Sequence, residues 1–202
     1  MKLRYSPTSP YVRKVVVTAI ELGLDERIER ILTNTRDPNS GLKRDNPLSK
    51  VPALILDDGA VLYDSPVICD YLASLSPTTT LLPPAGPERW TALRRQALAD
   101  GILDAAILAM LESRRPDGER SPAFAKAQKG KITAALDALE GEAATLAGEV
   151  TIGAIAVGCA LGYLDFRFPD DDWRRDRPAL AAWYATFAER PSMVASVPRD
   201  PA

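Results

Sequence analysis

The chain has 202 residues, 46% of them hydrophobic and 26% charged, with 25 Lys and Arg against 27 Asp and Glu and no histidine. That is the composition of a globular chain with one large core or two modest ones. The net charge of −2 offers no electrostatic footprint for nucleic acid, and the missing histidine excludes Ser-His-Asp and Cys-His catalysis and any His-ligated metal.

A first strand is expected over Lys2 to Tyr5. It leads into a Pro-rich turn rather than a long apolar segment, so no signal peptide is expected. A helix follows from Pro10 to Leu22, where Val12, Val15, Val16, Ala19 and Ile20 keep the i, i+3, i+4, i+7, i+8 spacing of one apolar stripe. Next come a strand over Arg27 to Thr33 and two short strands, Ala53 to Leu56 and Ala60 to Tyr63. Asp57-Asp58-Gly59 between the last two makes an antiparallel hairpin. A helix over Pro66 to Leu75 closes this β-α-β, β-β-α order, which builds a mixed sheet covered by helices.

From Ser76 to Pro87, with Pro83-Pro84 and Gly86, the pattern stops. Residues 1–77 therefore read as one domain, 78–87 as a connector and 88–202 as an all-helical domain. Its helices are expected over Glu88 to Arg114, Pro122 to Leu146, Ile152 to Phe166 and Pro178 to Glu189. The uncharged run from Val150 to Leu164 falls short of the roughly 20 residues of a membrane span and reads as a buried helix. Cys69 and Cys159 lie outside any C-x-x-C arrangement. They read as packing residues in a reducing cytoplasm, with no disulfide scaffold, zinc site or dithiol centre.

Three motifs carry chemistry. Ser9-Pro10 puts a hydroxyl at a helix N-cap and proline at the first helical position. Capping alone accounts for the pair. Its location after the first strand, however, aims a helix amino terminus at a spot that favours an anion such as a thiolate, which hydrogen-bond donors stabilise. In Ser49-Lys50-Val51-Pro52-Ala53-Leu54, proline directly precedes a strand. A trans proline at a strand start is one reading. A cis Val51-Pro52 bond that frees the Val51 N–H and C=O for an extended peptide is the other. Tyr63-Asp64-Ser65-Pro66 again sets polar residues at a helix start, where Ser65 could take a carboxylate and Asp64 an ammonium, the head group of a free amino acid.

In this order and separation the motifs resemble those of the cytosolic glutathione S-transferases. Ser9-Pro10-Tyr11 sits where that family has its thiol-stabilising Ser or Cys. Asn46-Pro47-Leu48-Ser49-Lys50-Val51-Pro52-Ala53-Leu54 is similar to its N-P-x-x-K-V-P-x-L element, and Asp64-Ser65 to its E/D-S pair. The resemblance continues through Asp100-Gly101-Ile102-Leu103-Asp104 and Ala160-Leu161-Gly162-Tyr163-Leu164-Asp165, and is strongest to bacterial members with a T-S-P-x-V-R-K start. Ser-Pro-Tyr also parallels the Cys-Pro-Phe of the omega class and the Cys-Pro-Tyr of glutaredoxins, with serine in place of the redox-active cysteine.

The resemblance implies an α/β thioredoxin-like N-terminal domain with a mixed four-stranded sheet, followed by an all-α C-terminal helical bundle. It implies a cytoplasmic homodimeric glutathione transferase that needs no metal, nucleic acid or membrane. Ser9 would hydrogen-bond the glutathione sulfur, with Thr8 as its rival. Val51, beside Pro52, would pair with the cysteinyl backbone. Asp64 and Ser65 would hold the γ-glutamyl head, and Lys50 the glycine carboxylate, with Arg36 or Lys43 assisting. An electrophilic or hydrophobic second substrate would lie among Tyr11, Ala105, Leu108 and Leu111. Peroxidase or isomerase chemistry at the same site, or a non-catalytic glutathione-binding regulator, are the alternatives. One departure stands out. Thr151-Ile152-Gly153-Ala154 lacks the acidic partner of the family's S/T-x-x-D box, so Ala154→Asp is expected to raise the melting temperature by restoring a cap of about 1 kcal/mol.

Overall fold

The computed structural model describes residues 1–76 and 80–200, so Pro77, Thr78 and Thr79 at the expected domain boundary lie outside the described residues. Strand β1 (Lys2–Tyr5) is followed by helix α1 (Pro10–Glu21), a single 3₁₀ turn and β2 (Glu29–Leu32), then by the short helix α2 (Leu42–Asp45). β3 (Ala53–Ile55) and β4 (Val61–Leu62) form the hairpin, and α3 (Ser65–Ser74) closes the first unit. The sheet is mixed and four-stranded, in the order β2-β1-β3-β4. β1 runs parallel to β2 and antiparallel to β3, and β3 antiparallel to β4. At the hairpin turn Gly59 adopts φ +88, a conformation that favours glycine. Leu56 N–H donates to the Ala60 carbonyl at 2.8 Å.

The remainder is helical: α4 (Gly86–Ser113), α5 (Pro122–Leu146), α6 (Ile152–Arg167), α7 (Pro178–Ala188) and α8 (Pro191–Ala195). The fold is the one expected, a thioredoxin-like α/β unit followed by a helical unit. Helix α4 starts two residues earlier than its apolar periodicity indicates, because Gly86 and Pro87 already form its first turn. The uncharged run is the central helix α6, buried continuously from Ile152 to Leu164, and among the described residues no helix is long and apolar enough to cross a membrane. Close packing of α6 relies on glycine. A Cβ at Gly153 would sit 2.6 Å from the Ala92 carbonyl oxygen, and one at Gly162 would collide with Arg13 Nη1.

Two cores result. Leu3, Val12, Val15, Val16, Leu54, Ile68 and Leu72 pack between the sheet, α1 and α3. The larger core joins α4, α5, α6 and α7 around Ile102, Leu139, Ile155, Leu161 and Leu180, and takes in Val17 of α1. Helix α1 is thus buried on both sides. Arg13, Lys14 and Thr18, on the side opposite the expected stripe, are buried together with its valines.

Candidate functional site

The strand registers gather three loops at one edge of the sheet. Arg4, near the end of β1, pairs with Ala53 at the start of β3, and Leu62 at the end of β4 pairs with Leu54. The carboxyl ends of β1 and β4 and the amino end of β3 therefore share that edge. Residues 6–9, 49–52 and 63–64 leave from it, and all three carry motif residues.

Ser9 is the N-cap of α1, with Pro10 at the first helical position. Its Oγ accepts the Val12 N–H at 3.3 Å, and the Arg13 N–H reaches its carbonyl at 3.0 Å. A hydroxyl has one proton to donate as well as lone pairs to accept, and among the described residues the Ser9 proton is committed to no other group. Thr8 Oγ1 lies 3.2 Å from Ser6 Oγ instead. The helix terminus adds its partial positive charge to this spot.

The second loop is built around Asn46, which is 2% exposed. Its Nδ2 donates to the Lys50 carbonyl at 2.8 Å and its Oδ1 accepts the Leu48 N–H at 3.0 Å, clamping the segment while Ser49 turns through φ +53. The Val51-Pro52 peptide is cis. The pairing of β3 with β1 begins at Ala53, so the half-buried Val51 lies just outside the ladder. The Lys50 side chain is exposed, as are Arg36 and Lys43.

At the third loop the exposed Asp64 occupies the N-cap position of α3, its side chain making no hydrogen bond to the helix, and the buried Ser65 is the first helical residue. The Tyr63-Asp64 peptide is also cis, a feature with no signal in the sequence.

Helix α4 brings Asp100 and Asp104 to this edge, residues that the sequence places in a family-like motif without giving them a role. The Tyr11 hydroxyl donates to Asp104 Oδ1. Burial, followed by the Asp104 hydrogen bond and charge, pushes the phenol far above its ordinary pKa, so Tyr11 acts as a neutral donor. Lys14, fully buried, places Nζ 2.7 Å from both carboxylate oxygens of Asp100. Burial raises the pKa of Asp100 against the opposing pull of Lys14, and the charges of Asp104 and Asp64 add to the rise. The signal available in the sequence was the i, i+4 spacing of Asp100 and Asp104, which puts both carboxyls on one helix face. Of the residues expected around the second substrate, Leu108 and Leu111 are 43% and 45% exposed, whereas Ala105 is 3% exposed in the helical core and lines no open surface. Cys69 and Cys159 are buried and free, and burial lifts both thiols to about 11, which makes them inert packing groups. Among the described residues no cluster of His, Cys, Asp and Glu could hold a metal ion.

Residues 8–75 match the family model for the glutathione S-transferase N-terminal domain, and residues 119–186 the model for the glutathione S-transferase C-terminal domain. The chain is 34% identical over 201 residues to the uncharacterized GST-like protein YibF of Escherichia coli K12, covering 98% of each. Its fold is similar to a crystal structure of a glutathione transferase family member from Pseudomonas fluorescens Pf-5 with bound glutathione. Identity is 46%, the TM-score 0.93, and coverage 98% of this chain and 99% of that one. A second structure of a family member from that organism, at 46% identity, TM-score 0.91 and coverage of 99% and 100%, holds S-(propanoic acid)-glutathione.

Proposed function

Because the chain belongs to the glutathione S-transferase family, we propose that it binds glutathione at the sheet edge and catalyses its transfer to an electrophile. The observation that carries this reading is the convergence of Ser9, the Val51-Pro52 edge and Asp64-Ser65, set by the strand registers, at the amino end of α1. The glutathione bound by the P. fluorescens relative supports it. The Ser9 hydroxyl donates to the sulfur while the helix terminus favours its negative charge, which keeps the thiol ionised at neutral pH. Val51 offers its N–H and C=O to the cysteinyl backbone, and Asp64 and Ser65 take the ammonium and carboxylate of the γ-glutamyl head. Lys50 reaches the glycine carboxylate from its exposed position. Catalysis then consists of holding a thiolate beside the acceptor, through proximity and charge stabilisation and without an acid–base residue.

The acceptor side is the α4 face bearing Leu108 and Leu111. The propanoic acid on the sulfur of the ligand in the second P. fluorescens structure supports a site open to substituents there. The protein acts as a homodimer in the reducing cytoplasm. Val67 on α3 and Trp90 on α4, 47% and 67% exposed, are apolar groups that such an assembly would cover, and the free thiols suit that compartment.

The test is retention on immobilised glutathione together with turnover of a chlorinated aromatic substrate, in the wild type and in Ser9→Ala. Retention with turnover that falls in the variant supports the transferase. Retention without turnover moves the assignment to a binding protein, and absence of both refutes the ligand.

A further inference from the structure

The α4 face that runs past the amino end of α1 changes character along its length. At 3.6 residues per turn, Asp100, Asp104, Leu108, Leu111 and Arg114 fall on one stripe, and the rise of about 1.5 Å per residue carries Arg114 about 15 Å beyond Asp104. The stripe thus passes from carboxylates through two exposed leucines to a guanidinium. Arg114 is exposed and, among the described residues, makes no ion pair, whereas its neighbour Arg115 is tied to Glu112 and Glu119. Glu112 is itself spent on Arg115 and on the Ser121 N–H at 2.6 Å.

Helix α6 supplies a second guanidinium to the same end. Gly153 near the start of α6 packs against Ala92 and Arg95 of α4, so 14 residues further on Arg167 lies about level with residues 106–109 of α4, the turn that bears Leu108. Arg167 is held in place, its guanidinium 3.9 Å from the centroid of the Phe166 ring and its Nη1 3.0 Å from Asp200 Oδ1. Its Nε is buried and has no hydrogen-bond partner among the described residues. A neutral apolar acceptor would leave Arg114 without an ion-pair partner and Arg167 with Asp200 alone among the described residues. A carboxylate presents two oxygens in the plane that a guanidinium fork matches.

We propose that the acceptor is an acidic electrophile, an α,β-unsaturated carboxylic acid, whose carboxylate is held by Arg114 and Arg167 while its chain lies along Leu108 and Leu111. This rests on the thiolate reading above. The free carboxylate of such an acid repels an incoming thiolate and makes the double bond a poor acceptor, and pairing with guanidinium offsets that charge. In the addition, the sulfur electron pair forms a C–S bond at the β-carbon and the π pair of the double bond moves to the α-carbon. That carbon takes a proton from water, replacing the one released when the thiol ionised.

Calorimetric titration with two matched pairs of conjugates tests the assignment: S-propylglutathione against S-(2-carboxyethyl)glutathione, and S-benzylglutathione against S-(4-carboxybenzyl)glutathione. In at least one pair the carboxylate is expected to bind about tenfold tighter, the scale of one charged hydrogen-bonded contact. Arg114→Gln, at an exposed position where folding is unaffected, should cut that preference at least threefold, and Arg167→Gln should do the same, with glutathione itself bound as before. Glutathione bound normally but no carboxylate preference in either pair, or a preference untouched by both substitutions, overturns the proposal alone. Loss of glutathione binding by the wild type overturns it together with the thiolate reading.

Discussion

Ser9→Ala and Ser9→Gly separate the two tasks that fall to one hydroxyl. The Ser9 Oγ caps α1 by accepting the Val12 N–H at 3.3 Å, and in the proposed complex its proton goes to the sulfur. Alanine removes the cap at a cost of about 1 kcal/mol, glycine at a cost of only a few tenths, and in a chain of 202 residues 1 kcal/mol lowers the melting temperature by roughly 2–4 °C. Both substitutions remove the donor. A hydrogen bond to a charged group contributes about 1.5–3 kcal/mol, and one pKa unit corresponds to about 1.36 kcal/mol, so the bound thiol should rise by about one to two units in either variant.

The loss of rate is smaller than the loss of thiolate. Each unit of pKa lowers the thiolate fraction about tenfold below the pKa, but nucleophilicity rises with basicity at a Brønsted slope of about 0.4–0.5 and returns roughly a factor of three. Activity at neutral pH should therefore fall by about three- to twelvefold and recover as the pH is raised through the new pKa. Ultraviolet absorbance of the bound thiolate against pH gives the pKa, and turnover of a chlorinated aromatic against pH gives the rate. Thr8→Val should leave both unchanged, since Thr8 Oγ1 already faces Ser6 Oγ at 3.2 Å. An unshifted thiol pKa in both Ser9 variants, with glutathione still bound, would refute the reasoning, as would a shift that appears in Thr8→Val instead.

Gly153→Ala drives a Cβ to 2.6 Å from the Ala92 carbonyl oxygen and 2.8 Å from Arg95 Cβ. Main chain must move, so calorimetry should record a loss of about 1–3 kcal/mol. Gly101→Ala on α4, with nothing within 4 Å, should instead gain about 0.5–1 kcal/mol. At Glu21, burial raises the carboxyl pKa but hydrogen bonds from Arg190 and Ser192 outweigh it, leaving the group below its ordinary value in the folded state. Its stabilisation is therefore present above the unfolded pKa of about 4.3 and fades as the pH drops through the folded value. The stability gap between wild type and Glu21→Gln should close in acid, and a gap independent of pH would contradict the assignment. Ala154→Asp should lower the melting temperature, the reverse of the expectation from sequence. The first turn of α6 already has Ile152 N–H on the Leu81 carbonyl at 2.7 Å and Ala154 N–H on Thr151 Oγ1 at 3.3 Å. Ala154 itself is 2% exposed, so the new carboxylate loses its water; a rise would mean that it reaches the Thr151 N–H.

What could be read from the chain was whatever local stereochemistry writes into neighbouring residues. Ser9-Pro10 marks the start of α1, Asp57-Asp58-Gly59 the hairpin, and the uncharged run the buried α6. Helices α2 and α8, with 4 and 5 residues, are too short for an apolar period to register. Nothing in the sequence marks Lys14, opposite the stripe of α1, as a core residue. It is fully buried because α1 is covered by α6 and α8 on that side and because α4 supplies Asp100. The Tyr11–Asp104 contact joins residues 93 apart in sequence, a separation at which no spacing rule operates. The three motifs at the sheet edge could be picked out individually. Their meeting at one edge follows from strand register, which short strands leave open until they pair.

The buried Lys14–Asp100 pair and the Tyr11–Asp104 bond give the site a division of labour that neither unit has alone. A buried ion pair contributes little net stability once desolvation is counted, while losing one partner leaves an uncompensated buried charge. Its effect is therefore mainly on geometry. Lys14 lies five residues beyond Ser9 and Tyr11 two residues beyond, so both bonds tie the first turns of α1, and with them the Ser9 hydroxyl, to fixed points on α4. In the proposed reaction the sulfur side is then set by the sheet edge and the acceptor side by the face of α4 beyond Asp104. The distance between them is fixed by two hydrogen-bonded carboxylates rather than by loops. On that reading, substitutions along Leu108, Leu111 and Arg114 should change the acceptor preference and leave the pKa of the bound thiol where it was.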